Sequence, residues 1–341
     1  MRVEACGERA LWDAYVEGAP GASNYHRWGW KQVIENAFGW PTFYLVAKEA
    51  TEIKGVLPLA WQKSWLFGSF ITSLPFFSHA GVLAENREAE KALVGEAIRL
   101  ARELGAGYLE LRHRGDRGLA LPRKTNKVSV LVTVERDKDT MMRSLRSEVR
   151  TKIRKAIKCG LTSEMLGEAA LDDFYSVYAE RMRELGTPVY DKSFFREIFR
   201  AFDADTHICL VRHRGKVVAA TFLTVFREAI ESLWSSSRRQ FAAMEPNALL
   251  NWTILLFAAE RGCRIFDFGR STVGSGPHRY KLQWGSQEIP LCWDYWSPQG
   301  GTETVSSREN PKYDILIRLW KKLPLRLTVL LGPSIVRRLP H

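Results

Sequence analysis

Residues 101–113, ARELGAGYLELRH, and residues 258–270, AAERGCRIFDFGR, repeat one pattern. Aligned without gaps, Ala101 falls on Ala258, Glu103 on Glu260, Gly105 on Gly262, and the acid Glu110 on Asp267. Each stretch reads as the end of a helix, a glycine where a helix C-terminus needs a left-handed residue, and then a strand. The shared order predicts a duplicated structural unit.

The likeness continues upstream. YLVAKEATEIKGVLPLA (44–60) matches CLVRHRGKVVAATFLTV (209–225) as a strand, a polar turn and a second strand. Both halves therefore carry a hairpin, a further strand, a helix and a strand in that order, and the fold class expected is a duplicated α/β domain with mixed sheets. The first copy is expected over 1–135, with strands at 43–47, 54–61 and 107–112 and a helix over 86–104. The second is expected over 140–300, with helices at 141–159, 170–185, 192–202 and 246–262. A basic, amphipathic tail, 301–341, follows.

The chain has 341 residues, 45% hydrophobic and 26% charged, enough apolar matter for real cores and too much for a disordered protein. Its net charge of +12 favours partners that carry phosphates or other acidic groups. Five scattered cysteines and seven histidines show no disulfide framework and no metal-ligand spacing, so no metal is expected. The first residues lack an apolar signal core and no apolar run reaches transmembrane length, so the expected location is cytoplasmic.

Two segments concentrate chemistry. In RIFDFGRSTVGSGPHRYKLQWGS (264–286) a hydrophobic strand runs into a glycine-rich, basic stretch. Asp267, among isoleucine and phenylalanines, needs a cationic or hydrogen-bonding partner, and Arg270 and Lys281 are the nearest candidates. Gly269, Gly274 and Gly276 allow close backbone approach, and Lys281 offers a point charge for an oxyanion. Arg270, Ser271, Gly274, Gly276 and Trp284 are the substrate-binding expectation here, with Lys281, Asp267 and His278 as the catalytic one. The other segment, MRSLRSEVRTKIRKAIKCGL (142–161), puts seven cations against Glu148; as a helix it would bury Leu145, Val149, Ile153 and Ile157 and leave Arg146, Arg150 and Arg154 for phosphates. In the tail, leucines and Trp320 alternate with Arg318, Lys321, Lys322, Arg326, Arg337 and Arg338. That pattern suits either packing on the first domain or contact with an anionic inner-membrane surface through 311–341.

IRKAIKCGL, ELGTPVY, FDFGRSTVGSG and YKLQWG together resemble the FemAB-related proteins, in particular the branch found with exosortase/PEP-CTERM systems. The similarity runs from SNYHRWGW (23–30) to NPKYDILIRLWKKLP (310–324). The resemblance implies two tandem GNAT-like domains and transfer of an amino acid from aminoacyl-tRNA to an amine of a cell-envelope or exopolysaccharide precursor, with no cofactor. It also implies that Lys281 lies at the reaction centre. Two other readings compete: a CoA- or carrier-protein-dependent N-acyltransferase, and a non-enzymatic basic adaptor for RNA or anionic lipid. RELGAG (102–107) mimics the pyrophosphate loop of CoA-dependent acetyltransferases, but it follows a helix, whereas anion capture requires it to precede one.

Overall fold

Both aligned glycines end a helix as their spacing predicts. Gly105 and Gly262 adopt φ of 61° and 74°. The amide of the next residue turns back in each: Ala106 N–H donates to the Ala101 carbonyl and Cys263 N–H to the Ala258 carbonyl, both at 2.8 Å. This is the left-handed cap that supplies partners for the last carbonyls of a helix and aims the chain into a strand.

The computed structural model describes residues 1–64, 67–301 and 311–339. Its strands are β1 Arg2–Ala5, β2 Thr42–Glu49, β3 Glu52–Ser64, β4 Gly68–Thr72, β5 Leu83–Ala84, β6 Tyr108–Arg114, β7 Arg123–Thr133, β8 Leu161–Leu166, β9 Thr206–His213, β10 Lys216–Phe226, β11 Ala229–Ser237, β12 Ile265–Thr272 and β13 Gln287–Trp296. The α-helices are α1 Arg9–Gly18, α2 Gly29–Phe38, α3 Arg87–Glu103, α4 Lys138–Ser144, α5 Ser147–Lys158, α6 Leu171–Leu185, α7 Lys192–Phe202, α8 Pro246–Glu260, α9 Gly276–Leu282, α10 Pro311–Lys322 and α11 Leu325–Val336. All five cysteines are free.

The described residues form two units, 1–127 with 290–301 and 334–339, and 128–289 with 311–333. In the first, the strand order is β1-β2-β3-β4-β6-β13, and the pair β4–β6 is parallel, its strands linked through α3. In the second, β8-β9-β10-β11-β12 repeats the arrangement, with β11–β12 parallel and α8 between them in the chain. The registers also correspond: Thr72 faces Glu110 in one parallel pair and Glu231 faces Asp267 in the other. The units differ from the contiguous spans expected. β13 lies within the span expected for the second copy yet pairs with β6, and β7 lies within that expected for the first yet runs beside β12 through its later residues. The tail is divided likewise, while its residues 302–310 and 340–341 lie outside the described residues.

The apolar pattern explains what each element buries. In the second unit, α7 turns Phe194, Phe195, Ile198 and Phe199 inward. Phe195 lies 5.2–5.3 Å from the rings of Phe174, Phe222 and Trp234; full burial of one such side chain is worth about 1.5–3 kcal/mol. On the other sheet face, Val149 and Ile153 of α5 join Leu250, Ile254 and Leu255 of α8 in a second cluster.

The basic stretch is not one helix over 141–159. Leu145 is extended (φ −69°, ψ 147°) between α4 and α5, and the Arg150 guanidinium donates to the carbonyls of Arg143 and Leu145 at 3.2 and 2.6 Å. Those bonds satisfy carbonyls freed by the break. The buried stripe also ends on Ala156, with Ile157 55% exposed, because a 3.6-residue turn carries the seam from Val149 and Ile153 to 156.

Nothing lies within 4 Å of a Cβ built on Gly105 or Gly262. The cost of Gly105→Ala or Gly262→Ala is therefore purely that of the left-handed backbone. Each should lower stability by about 1–2 kcal/mol in urea unfolding, and asparagine, which tolerates this conformation, should lower it less.

Candidate active site

The parallel register of β11 and β12 runs through Ala229↔Ile265, Ile230↔Phe266 and Glu231↔Asp267. Beyond it, Gly269 adopts φ of 70°, and a Cβ there would sit 3.2 Å from the Ser232 carbonyl oxygen. Glycine is required by both conformation and space. The chain then turns tightly, Ser275 N–H donating to the Thr272 carbonyl, and enters α9, where Ser275 Oγ accepts from His278 N–H at 3.3 Å. The stretch expected to be a glycine-rich loop is thus a strand end, a short turn and a helix, and Lys281 projects from that helix.

Asp267 is 3% exposed. It accepts from Ser129 Oγ at 2.8 and 3.0 Å and from Gly269 N–H at 2.7 Å. Ser129 is the lone hydroxyl in the apolar run of β7, and its neighbours Val128 and Val130 belong to the core. The Lys281 ammonium donates to the carbonyls of Gly269 and Arg270 at 2.9 and 3.0 Å. Burial lowers its pKa to about 8, opposed by the negative charges of Asp267 and Glu231 and assisted by Arg270. Lys281 is therefore a half-buried cation next to a buried carboxylate, not an exposed lysine.

Other expected residues take different places. His278 Nδ1 accepts from Gly274 N–H at 3.1 Å, which puts the proton on Nε2, and Nε2 donates to Glu288. Neither ring nitrogen keeps a free lone pair, so His278 is not placed to accept a proton, and Gly274 N–H is not free for a substrate. Trp284 belongs to the core, 5.8 Å from Phe268, because the end of α9 packs against β12; it is not a substrate contact. Gly276 opens α9, Arg270 is half-buried, and Ser271 is buried with its hydroxyl unpartnered among the described residues, as is that of Ser236 on β11. On α5, Arg146 and Arg154 are exposed while Arg150 braces the helix break. Lys152 reaches Gln283 at 2.8 Å and ties α5 to the end of α9.

The sequence reading missed Ser129 and Glu231, and took Lys152 only as one of the seven cations of the basic segment. A single hydroxyl inside KVSVLV was a legible signal for Ser129; the other two depend on register and on helix packing. In RELGAG, the amides of Gly105, Ala106 and Gly107 bond the carbonyls of Arg102, Ala101 and Ser69, which leaves none of the three for an anion. Among the described residues, no three His, Cys, Asp or Glu side chains are arranged to hold a metal, and no helix is long and apolar enough to cross a membrane.

Residues 143–282 match the family model described as Acetyltransferase (GNAT) domain. That segment therefore carries a GNAT-type domain. The fold of the chain is similar to that of FemX, with a TM-score of 0.70 at 17% identity over 93% of this chain and 100% of that one. It is also similar to L-PGS from Bacillus licheniformis (TM-score 0.56, 12% identity, 94% and 99% covered) and to a tandem GNAT protein from the clavulanic acid biosynthesis pathway (0.55, 12%, 87% and 98%). No curated protein sequence matches it.

Because Lys281 has a folded-state pKa near 8 against an ordinary 10.5, the folded protein binds fewer protons than the unfolded chain between those values. Stability relative to a Lys281→Met variant should therefore rise as pH increases from about 8 to about 10.5 and stay flat below. Paired thermal melts across this range measure it.

Proposed function

We propose that this protein is an acyltransferase that forms an amide between an aminoacyl group, donated by aminoacyl-tRNA, and the amine of a cell-envelope or exopolysaccharide precursor in the cytoplasm. Lys281 is its catalytic cation. The amine nitrogen attacks the ester carbonyl; the C–N bond forms, the C–O bond to the ribose breaks, and the amine proton ends on the departing ribose oxygen. The carbonyl oxygen becomes an oxyanion in between, and a half-buried ammonium held by two backbone carbonyls stabilises it more than one in open water would. Asp267, fixed by Ser129 and Gly269, favours the charged form of that lysine, so its role is to position charge rather than to move a proton. Arg270, whose carbonyl accepts from Lys281, and Ser271, the next residue of β12, are its substrate contacts.

The observation that carries the reading is the Lys281 ammonium on the carbonyls of Gly269 and Arg270, with Asp267 behind it. Against a CoA donor stands the start of α8: Glu245 occupies the N-cap and Pro246 follows without an N–H. A carboxylate and a missing donor at a helix N-terminus disfavour a pyrophosphate. Micromolar binding of acetyl-CoA or a long-chain acyl-CoA in calorimetry would instead select the CoA-dependent route.

Lys281→Ala should lower kcat by about 100-fold to 1,000-fold with a smaller change in KM, since the oxyanion exists only during the reaction. Lys281→Arg should recover part of it. The alanine variant should also lose about 1–2 kcal/mol of stability, as two buried carbonyls lose their donor; normal turnover per folded molecule would make the lysine purely structural. On α5, Arg146→Ala and Arg154→Ala should each reduce the salt slope of RNA binding by roughly one unit. A flat slope in the parent protein would remove the phosphate role from this helix.

A further inference from the structure

Helices α10 and α11 are docked by one face only. A Cβ on Gly186 would lie 2.5 Å from Ile317 Cγ2, and one on Gly332 would lie 2.9 Å from the Val189 nitrogen. Trp320 and Thr328 are buried on the same side. Up to Gly332 the tail is thus seated on the segment that follows α6 in the second unit, while its end, 334–339, belongs to the first unit, where Arg337 donates to the Ala37 carbonyl at 2.8 Å.

Its outer face is apolar. Ile315, Leu316 and Leu319 on α10 are 63%, 60% and 56% exposed, and Leu327, Leu330 and Leu331 on α11 are 42%, 72% and 45% exposed. These six are half of the twelve large exposed hydrophobics among the described residues. Their spacings, i, i+1, i+4 and i, i+3, i+4, place each trio on one side of its helix. Scattered exposed leucines are ordinary, but a trio on one side of each of two consecutive helices marks an interaction surface. Arg318, Lys321, Lys322 and Arg326 stand exposed in the same hairpin, with Asp314 the one exposed acid of its described side chains.

We propose that this face lies on an anionic phospholipid surface, the leucines entering the acyl boundary and the four cations meeting lipid phosphates. The charge pattern selects this occupant. A symmetric pairing with a second copy would bring each cluster of four cations against its equal, whereas an anionic membrane neutralises them while it covers the leucines. Length also fits: each helix has twelve residues, about 18 Å, too short for a hydrocarbon core of about 30 Å and suited to lying in the interface. Pro324, between the helices, lets them turn without crossing. Such a membrane contact is independent of which donor and acceptor the site takes.

The test is flotation of the full chain with vesicles of phosphatidylcholine containing phosphatidylglycerol, against phosphatidylcholine alone. Association should be at least about tenfold stronger with the anionic vesicles and should fall as salt is raised. Leu316→Glu combined with Leu330→Glu should reduce it at least about tenfold, and so should Arg318→Glu combined with Lys322→Glu; both pairs are exposed, so melting temperatures should hold. If a variant melts early, the lipid and salt dependence of the parent protein decides. Absence of binding, equal binding to both vesicles, or unchanged binding by well-folded variants overturns the proposal. So does a lipid-free dimer abolished by the leucine variants, which would give the face to a second copy.

Discussion

The buried carboxylate at the third position of each parallel strand constrains what surrounds it. A carboxylate out of water must be neutralised or fully hydrogen-bonded, and the two units meet that demand differently. In the first, Glu110 bonds Arg112 two residues along its own strand; that guanidinium is fully buried, donates to the Phe77 carbonyl and lies 4.2 Å from the Trp293 ring. The residue aligned with Arg112 is Gly269. There the cation is gone, the backbone amide and Ser129 bond Asp267, and an ammonium arrives from a separate helix. The acid at this position thus supports a closed ion pair in one unit and, in the other, a lysine whose charge is held at the end of a strand.

That difference explains what the sequence could tell. The helix caps and hairpins were legible because they depend on local rules: a glycine at φ near 60–75° ends a helix wherever it stands, and Ala101, Gly105 and Glu110 repeat at the same spacing in Ala258, Gly262 and Asp267. Lys281 and Asp267 were legible as unusual residues beside a core strand. Their partners were not. Ser129 lies 138 positions from Asp267, and nothing local in either segment fixes the register that joins them. His278 misled because a histidine beside glycines looks available, while its ring is fully used inside the α9 turn. Trp284 misled because an aromatic in a polar stretch resembles a ligand contact until the helix carries it into the core.

Charge is distributed with similar economy in the second unit. The basic helix α5 packs with α8 on one face of the sheet, whereas α10 adjoins α6 on the other, where Phe222 and Trp234 form the core. The excess of 50 lysines and arginines over 38 acids therefore does not act as a single field. One basic surface borders the helix that carries Lys281 through the Lys152–Gln283 contact, and the other frames exposed leucines. Short screening lengths at physiological salt let the two operate separately.

The exchange of outer strands has a consequence for biosynthesis. β6 ends at Arg114, but the strand that pairs with it, β13, ends at Trp296. A ribosome adding 5–20 residues per second needs roughly 10–40 s to cover that interval. During this time the amino-terminal sheet has an unpaired edge at β6, a template for pairing with another nascent chain. On that edge Glu110, Arg112 and His113 are polar or charged, so the strand that waits for its partner is one that misplaced hydrophobic strands fit poorly.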